Sequence, residues 1–332
     1  MIKQVLLILS VLFFCACSTS QEETKFIVPE NSYSIQDVVY TGEKDSVLYA
    51  KQNGQIFHLV KDQEPSLVFD LNEEVHFLAY NEADKKIYVS TYQSGIAVID
   101  ERTKKLSRRL PVSEWSHSIL YHEKTGTLFN VGTDLEIAFW NVKKGYENEK
   151  LNISQQMVTA GDFQGGRVVF AGLRGNVILY NPETKEVVDK GRVQVGVNDE
   201  SAVHDGKMMW SRNTSKAYLI DIGSMQVVGE VQHPNWPIKT DDTSYVEVPV
   251  SLDITGVALS EDRAYTASSD RSIRVWSLPD LELLETLKGH HGIISTIKLN
   301  RRHDQLVSVS LRGEIKFWDL NKPNDSITLH YK

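Results

Sequence analysis

Ser-Ile-Arg-Val-Trp-Ser at 272–277 and Glu-Ile-Lys-Phe-Trp-Asp at 314–319 are two copies of one phrase. Each alternates apolar and polar residues and closes on a Trp. Weaker copies end at Leu59, Ile99, Trp140, Tyr180 and Ile220. With Trp276 and Trp318 these make seven end positions, separated by 40, 41, 40, 40, 56 and 42 residues. A repeat near 40 residues with alternating apolar positions is the signature of a β-propeller, one four-stranded blade per repeat. The sequence therefore predicts an all-β, seven-bladed β-propeller. Propellers host binding, scaffolding and catalysis alike, so the architecture leaves the function open.

Strands are lettered a to d from the inside of each blade outwards. In blade 7 they read Ile293 to Leu299, Gln305 to Ser310, Glu314 to Asp319 and Ser326 to Tyr331. The b–c connection, Leu311-Arg312-Gly313, carries the Gly that a tight hairpin needs. The same tripeptide recurs at Leu173-Arg174-Gly175 in blade 4, and Gly54 fills the place in blade 1. Turn residues also recur after strand c, as in Asn181-Pro182-Glu183, Asp221-Ile222-Gly223 and Asn321-Lys322-Pro323. The blades fall at 31–71, 73–112, 113–155, 156–193, 194–233, 250–288 and 289–332. Lys25 to Pro29 is a candidate extra strand closing the ring against blade 7, which already has a fourth strand of its own.

The amino-terminal residues read differently. Lys3 precedes a mostly apolar run from Val5 to Phe14, too short to span a bilayer but suited to the core of a signal peptide. Phe14-Cys15-Ala16-Cys17 follows, and it resembles the end of a bacterial lipoprotein signal. That resemblance implies acylation of Cys17, because small Ala16 precedes it whereas bulky Phe14 precedes Cys15; Phe14 stands where such signals usually carry Leu. Residues 1–16 are then a leader, and 17–25 a polar tether between the lipid and a propeller at 26–332. Both cysteines of the chain lie in this leader region, so neither a disulfide nor a thiol active site is expected in the propeller. Removing Lys3 takes the net charge from −8 to −9. A net acidic chain argues against general nucleic-acid binding.

Blades 6 and 7 resemble WD40 repeats. Gly289-His290 followed by Trp318-Asp319 matches that family's opening and closing pairs, and so does the stretch from Ser268 to Trp276. The resemblance implies a buried, hydrogen-bonded set of His, Ser or Thr, Asp and Trp in each blade. Blade 6 supplies Asp270, Ser268 and Trp276, with no His at the start of its repeat. Blade 7 supplies His290, Ser308 or Ser310, and Trp318, with Arg312 where the Asp belongs. Asp270, Trp276, His290 and Trp318 are therefore read as structural residues.

The remaining chemistry is sparse. His58, His76, His117, His122, His204, His233 and His303 are scattered without ligand spacing, so no metal and no cofactor are expected. Phosphate loops, nucleophile elbows and paired-Cys motifs are missing from the sequence. One arrangement points to binding. In a WD40-like blade the b–c and d–a loops share one face. On it, the b–c turns of blades 4 to 7 carry Arg174, Arg212, Arg271 and Arg312, where blades 1 to 3 carry Asn53, Gln93 and Asp134. An arc of guanidinium groups suits carboxylates. The 56-residue step adds an inserted loop near 233–249 on the same face, with Trp236 between Asn235 and Pro237. Long loops with aromatic residues are often contact elements.

The expected function is a lipid-anchored, non-catalytic scaffold in a bacterial cell envelope. It would bind another envelope protein through Arg174, Arg212, Arg271, Arg312 and Trp236, the partner offering an acidic surface. Ser18 after Cys17 points to the outer membrane. Two other readings exist: an enzyme acting on an anionic or carbohydrate substrate, since sialidase-type propellers use clustered arginines, and an accessory subunit of outer-membrane assembly. The Asp boxes of the sialidase type are missing here.

Overall fold

The structure, a computed structural model, describes residues 34–330 except 43, 113–115, 133–136, 152–157, 165, 196–197, 213, 241–244, 249–250 and 322–326. Cys17, the leader and tether, and the Lys25–Pro29 segment lie outside the described residues. Seven four-stranded antiparallel sheets follow one another in chain order, with one separate two-stranded hairpin. The sheets span 35–70, 75–110, 116–151, 158–192, 198–232, 254–287 and 294–330. The chain is a seven-bladed β-propeller.

Burial follows from the blade geometry. Second strands lie between neighbouring blades and are covered on both faces, so their alternation disappears. Thr127–Gly132 and Gln305–Ser310 are buried at every position. Outer strands lack that cover, and Glu186–Arg192 buries no residue. The seven residues that end the repeated phrase form one buried column: Leu59, Ile99, Trp140, Tyr180, Ile220, Trp276 and Trp318. The apolar core divides into seven clusters, each shared by two adjacent blades. Stability therefore depends on every blade meeting both neighbours.

Ring closure needs no shared sheet, because the fourth strand of blade 7 is its own, Ile327–His330. Blades 1 and 7 meet through apolar packing that includes Val38, Tyr49, Val307 and Phe317. Polar contacts pin the seam. Ser295 Oγ donates to the Ile35 carbonyl at 2.6 Å. Buried Gln305 donates from Nε2 to Asp45 Oδ1 at 2.6 Å and accepts from the Asp45 amide at 3.0 Å.

The b–c turn glycines are conformational necessities. Gly95 and Gly175 sit at φ of 76° and 87°, and a Cβ on either would collide with the outer-strand carbonyl of Leu110 or Val193. The insertion between blades 5 and 6 corrects the expectation of a loop. Trp236–Lys239 pairs antiparallel with Tyr245–Val248, Trp236 opposite Val248, as a small hairpin. The Trp236 side chain lies outside what the structure describes.

Candidate functional site: the b–c face and the polar sets beneath it

All seven second strands run the same way, so the b–c turns gather at one end of the ring. Arg174, Arg271 and Arg312 are exposed there. Arg174 and Arg271 occupy the left-handed region, at φ of 67° and 68°. Arg212 ends the strand Lys207–Arg212, its backbone paired with Asn198. Next to Arg312, Leu311 and Ile293 are exposed large apolar residues, tied by a bond from the Leu311 amide to the Ile293 carbonyl at 2.9 Å. Acids mark the opposite side of the face. In blades 1 and 2, Glu73 pairs with Arg109, and Glu74 accepts from Gln52 Nε2 at 3.0 Å.

Beneath the arginines of blades 6 and 7 lie two polar sets, and both are complete. In blade 7, Trp318 Nε1 donates to Ser308 Oγ at 2.8 Å, and Ser308 meets His290 Nε2 at 2.6 Å. His290 Nδ1 faces Glu314 Oε2 at 3.2 Å. The indole can only donate, so the hydroxyl must donate onward to Nε2, and the ring proton sits on Nδ1 against the carboxylate. Glu314 also accepts from the amides of His291 and Gly292 at 2.9 and 3.1 Å and from Ser310 Oγ at 2.9 Å. Arg312 therefore does not mark a gap. The acid stands two residues later, and its extra methylene reaches the place that an Asp in the turn would fill.

Blade 6 carries two further corrections. Its hydroxyl is Thr266, which accepts from Trp276 Nε1 at 2.9 Å; Ser268 is turned to the Leu252 carbonyl and the Asp270 amide. Its His exists and is His233, fully buried, with Nε2 at 2.7 Å from Thr266 Oγ1 and Nδ1 at 3.4 Å from Asp270 Oδ2. Arg274 joins the set, donating to Asp270 Oδ2 at 2.6 Å and touching His233. Burial pushes the His233 pKa down, against the pull of Asp270. Burial would raise Asp270, but hydrogen bonds from His233, Ser272 and Arg274 hold it far below the carboxylate range. The hairpin hid His233 in the sequence, since it separates His233 from the inner strand Ile254–Leu259 that it serves. Counting back from Trp276 through Asp270 and Thr266, and allowing for an insertion, would have found it.

The ring axis holds a cavity of about 600 Å³ lined by the inner strands of all seven blades. Asp37 and Asp162 act as clasps within it. Each accepts from the backbone of the next blade, Leu78 at 2.8 Å and Val203 at 2.7 Å. Burial pushes both carboxyls up, against Lys298 and those amides. Burial also works against the charge of Lys298, but Asp37, Glu200 and Asp162 overcome it and raise its pKa. The two aspartates tie inner strands together, and Lys298 offsets part of the negative charge around it. At the far mouth, Arg301 of blade 7 reaches Glu82 of blade 2 at 3.2 Å and Glu123 of blade 3 at 3.3 Å.

Ser46, His58 and Glu101 fall in the order of a nucleophile, base and acid. Ser46 Oγ lies 2.9 Å from His58 Nε2, but it also shares 2.6 Å contact with Thr41 Oγ1. His58 Nδ1 stands 3.6 Å from Glu101, beyond hydrogen-bond reach, and Glu101 accepts from Tyr80 OH at 2.6 Å. The group works as a polar brace between blades 1 and 2. Among the described residues no group of three or more His, Cys, Asp or Glu side chains could hold a metal ion.

Comparison with known proteins agrees with this geometry. The family model of the WD domain, G-beta repeat (WD40) matches residues 249–277 and 281–319, the two blades with complete polar sets. The WD repeat-containing protein 3 homolog of Dictyostelium discoideum is 34% identical over 87 residues, a match spanning 25% of this chain and 9% of that protein. Among solved structures, U3-55K aligns with a TM-score of 0.70 at 16% identity, covering 86% of this chain and 90% of that one. The WD40 repeats of RRP9 give 0.70 at 16% identity, with 91% and 95% covered. The WD40 propeller domain of Doa1 gives 0.66 at 13% identity, with 88% and 94% covered. The chain has the WD40-type propeller fold.

Proposed function

We propose that this propeller is a non-catalytic docking module, held at a bacterial outer membrane through an acylated Cys17. It binds an acidic segment of another envelope protein on the b–c face. The observation that carries the reading is the pairing on that face of exposed Arg174, Arg271 and Arg312 with the exposed apolar residues Ile293 and Leu311. Cations beside apolar anchors suit a partner that brings carboxylates and a few large side chains. WD40-type propellers commonly bind proteins through loops of several blades, which supports the reading by analogy.

Charge reversal tests the face. Arg174→Glu with Arg312→Glu alters two exposed turn residues, so the unfolding free energy should change by no more than about 0.5 kcal/mol per site. Affinity for a partner identified by cross-linking in cells should fall at least about tenfold, and that of the parent should fall with added salt. Equal binding by the double variant would remove the arc from the interface.

The anchor is tested separately. Cys17→Ala should leave an uncleaved or soluble precursor, while Cys15→Ala is processed normally. Lipid label that follows Cys15 would reassign the acylation site.

A further inference from the structure

A second surface lies on the outer rim of blades 4 to 6. Their outer strands each carry a β-bulge at the same place, which turns two consecutive side chains to solvent. In all three blades both are large and apolar: Val187-Val188, Val227-Val228 and Leu283-Leu284, each between 40% and 55% exposed. Blades 1 to 3 differ. Blade 1 places its bulge opposite Ile56 and Phe57, two residues earlier on strand c, and buries the bulged Val68; blade 2 reads Leu106-Ser107 at the matching bulge. The outer strand of blade 3, Glu147–Leu151, pairs without a bulge.

The three dyads are joined into one belt. In each blade from 2 to 6, a residue one or two positions before the outer strand adopts a left-handed conformation, at Lys104, Tyr146, Lys185, Met225 and Leu281. Each reaches the outer strand of the preceding blade. The first three contacts are polar: Lys104 Nζ to the Leu67 carbonyl at 3.0 Å, the Arg108 guanidinium 4.4 Å over the Tyr146 ring, and Lys185 Nζ to Glu149 at 2.6 Å. The last two are apolar. Met225 lies where a Cβ on Gly191 would point, and Leu281 does the same at Gly229. The seams between blades 4, 5 and 6 are thus filled with hydrocarbon where those between blades 1, 2, 3 and 4 carry a charged side chain. Six exposed large apolar residues joined in one belt mark a contact site.

The geometry points to a protein partner that lays an amphipathic helix across this belt, with Lys or Arg beside its apolar stripe. An added β-strand would follow one blade edge and cover one dyad; only an element crossing the strands meets all three. Carboxylates bracket the dyads at both ends of the belt, with Glu186 and Asp189 in blade 4 and Glu282 and Glu285 in blade 6, while Glu230 in blade 5 is paired with Lys216 at 2.9 Å. They select a cationic border and repel an anionic membrane. A second copy of the chain would set the same carboxylates against each other in a symmetric contact. The belt is independent of the arginine face and asks for the opposite charge.

The test uses the purified full chain and two labelled synthetic helices of about six turns, each with Leu along one face. One is flanked by Lys and the other by Glu. The Lys-flanked helix should bind by fluorescence anisotropy, and the Glu-flanked one at least about tenfold more weakly. A Val188→Glu, Val228→Glu, Leu284→Glu variant should lose binding at least about tenfold. A Ser version of the same triple change, which adds no charge, should also lose it, and serves if the Glu version fails to fold. Arg174→Glu with Arg312→Glu should leave this binding intact, which separates the belt from the b–c face. No binding of the Lys-flanked helix, equal binding of both helices, or unchanged binding by a folded triple variant would overturn the proposal. Sedimentation showing self-association that the triple variant abolishes would overturn it in favour of a second copy.

Discussion

Replacing Trp318 with alanine should lower the unfolding free energy by about 3–5 kcal/mol, the range for deleting a large buried aromatic. The ring is nearly inaccessible and fills the seam between blades 6 and 7, in a cluster with Tyr265, Ala267, Ile297 and Leu306. Its loss opens a cavity between two blades, which cannot close without moving a whole sheet. It also removes the donor that fixes the Ser308 hydroxyl and, through it, the His290 ring. Trp318→Phe separates the two effects, because it keeps most of the volume and drops the bond; about 1–3 kcal/mol is expected. Urea titration of both variants gives the comparison. A midpoint that barely moves in the alanine variant would mean that the seam is not packed as described.

The same Trp shows why so much of the fold could be read from sequence. Trp318 ends a strand whose partners recur in every blade, so one buried column repeats seven times and leaves a period in the chain. The turns repeat for a similar reason, since Gly175 and Gly95 meet the same outer-strand carbonyl in their own blades. Features without a period were harder to see. His233 belongs to blade 6 but sits before a hairpin, and sequence distance concealed a contact of 2.7 Å. Glu314 opens a strand whose other residues are mostly apolar, and nothing in its spacing shows that it gathers donors from His290, His291, Gly292 and Ser310. The apolar dyads escaped for a different reason. A bulge breaks the two-residue alternation, so Val188, Val228 and Leu284 look like inward-facing residues until the pairing register is known. The arginines were visible because turns are predictable, and Leu311 adjoins Arg312 in the chain, but only the structure sets exposed Ile293 beside them.

Glu314→Ala should be as damaging as the loss of Trp318, at about 3–5 kcal/mol, although it deletes little volume. The carboxylate is buried and accepts from His290, the amides of His291 and Gly292, and Ser310. Alanine leaves these donors without the acceptor that gathers them. Acid should act on the same set. Burial alone would raise the Glu314 carboxyl, but its donors overcome this and lower its pKa from 4.5 to about 2. Burial lowers His290 from 6.5 to about 4, against the pull of Glu314. In both cases the unfolded chain takes up the proton first, so stability falls as pH falls. His290 contributes its loss between about 6.5 and 4, and Glu314 contributes its own between about 4.5 and 2. His233 and Asp270 are lowered as well and act in the same direction. Urea midpoints followed from neutral pH down to about 3 should show the decline in the parent. Glu314→Gln keeps the shape and one acceptor, so it should cost less than alanine at neutral pH and flatten the lower part of the curve. A Gln variant whose acid dependence matches the parent throughout would show that Glu314 is not held ionised by this set. The acid sensitivity would then be assigned to His233 and Asp270 in blade 6.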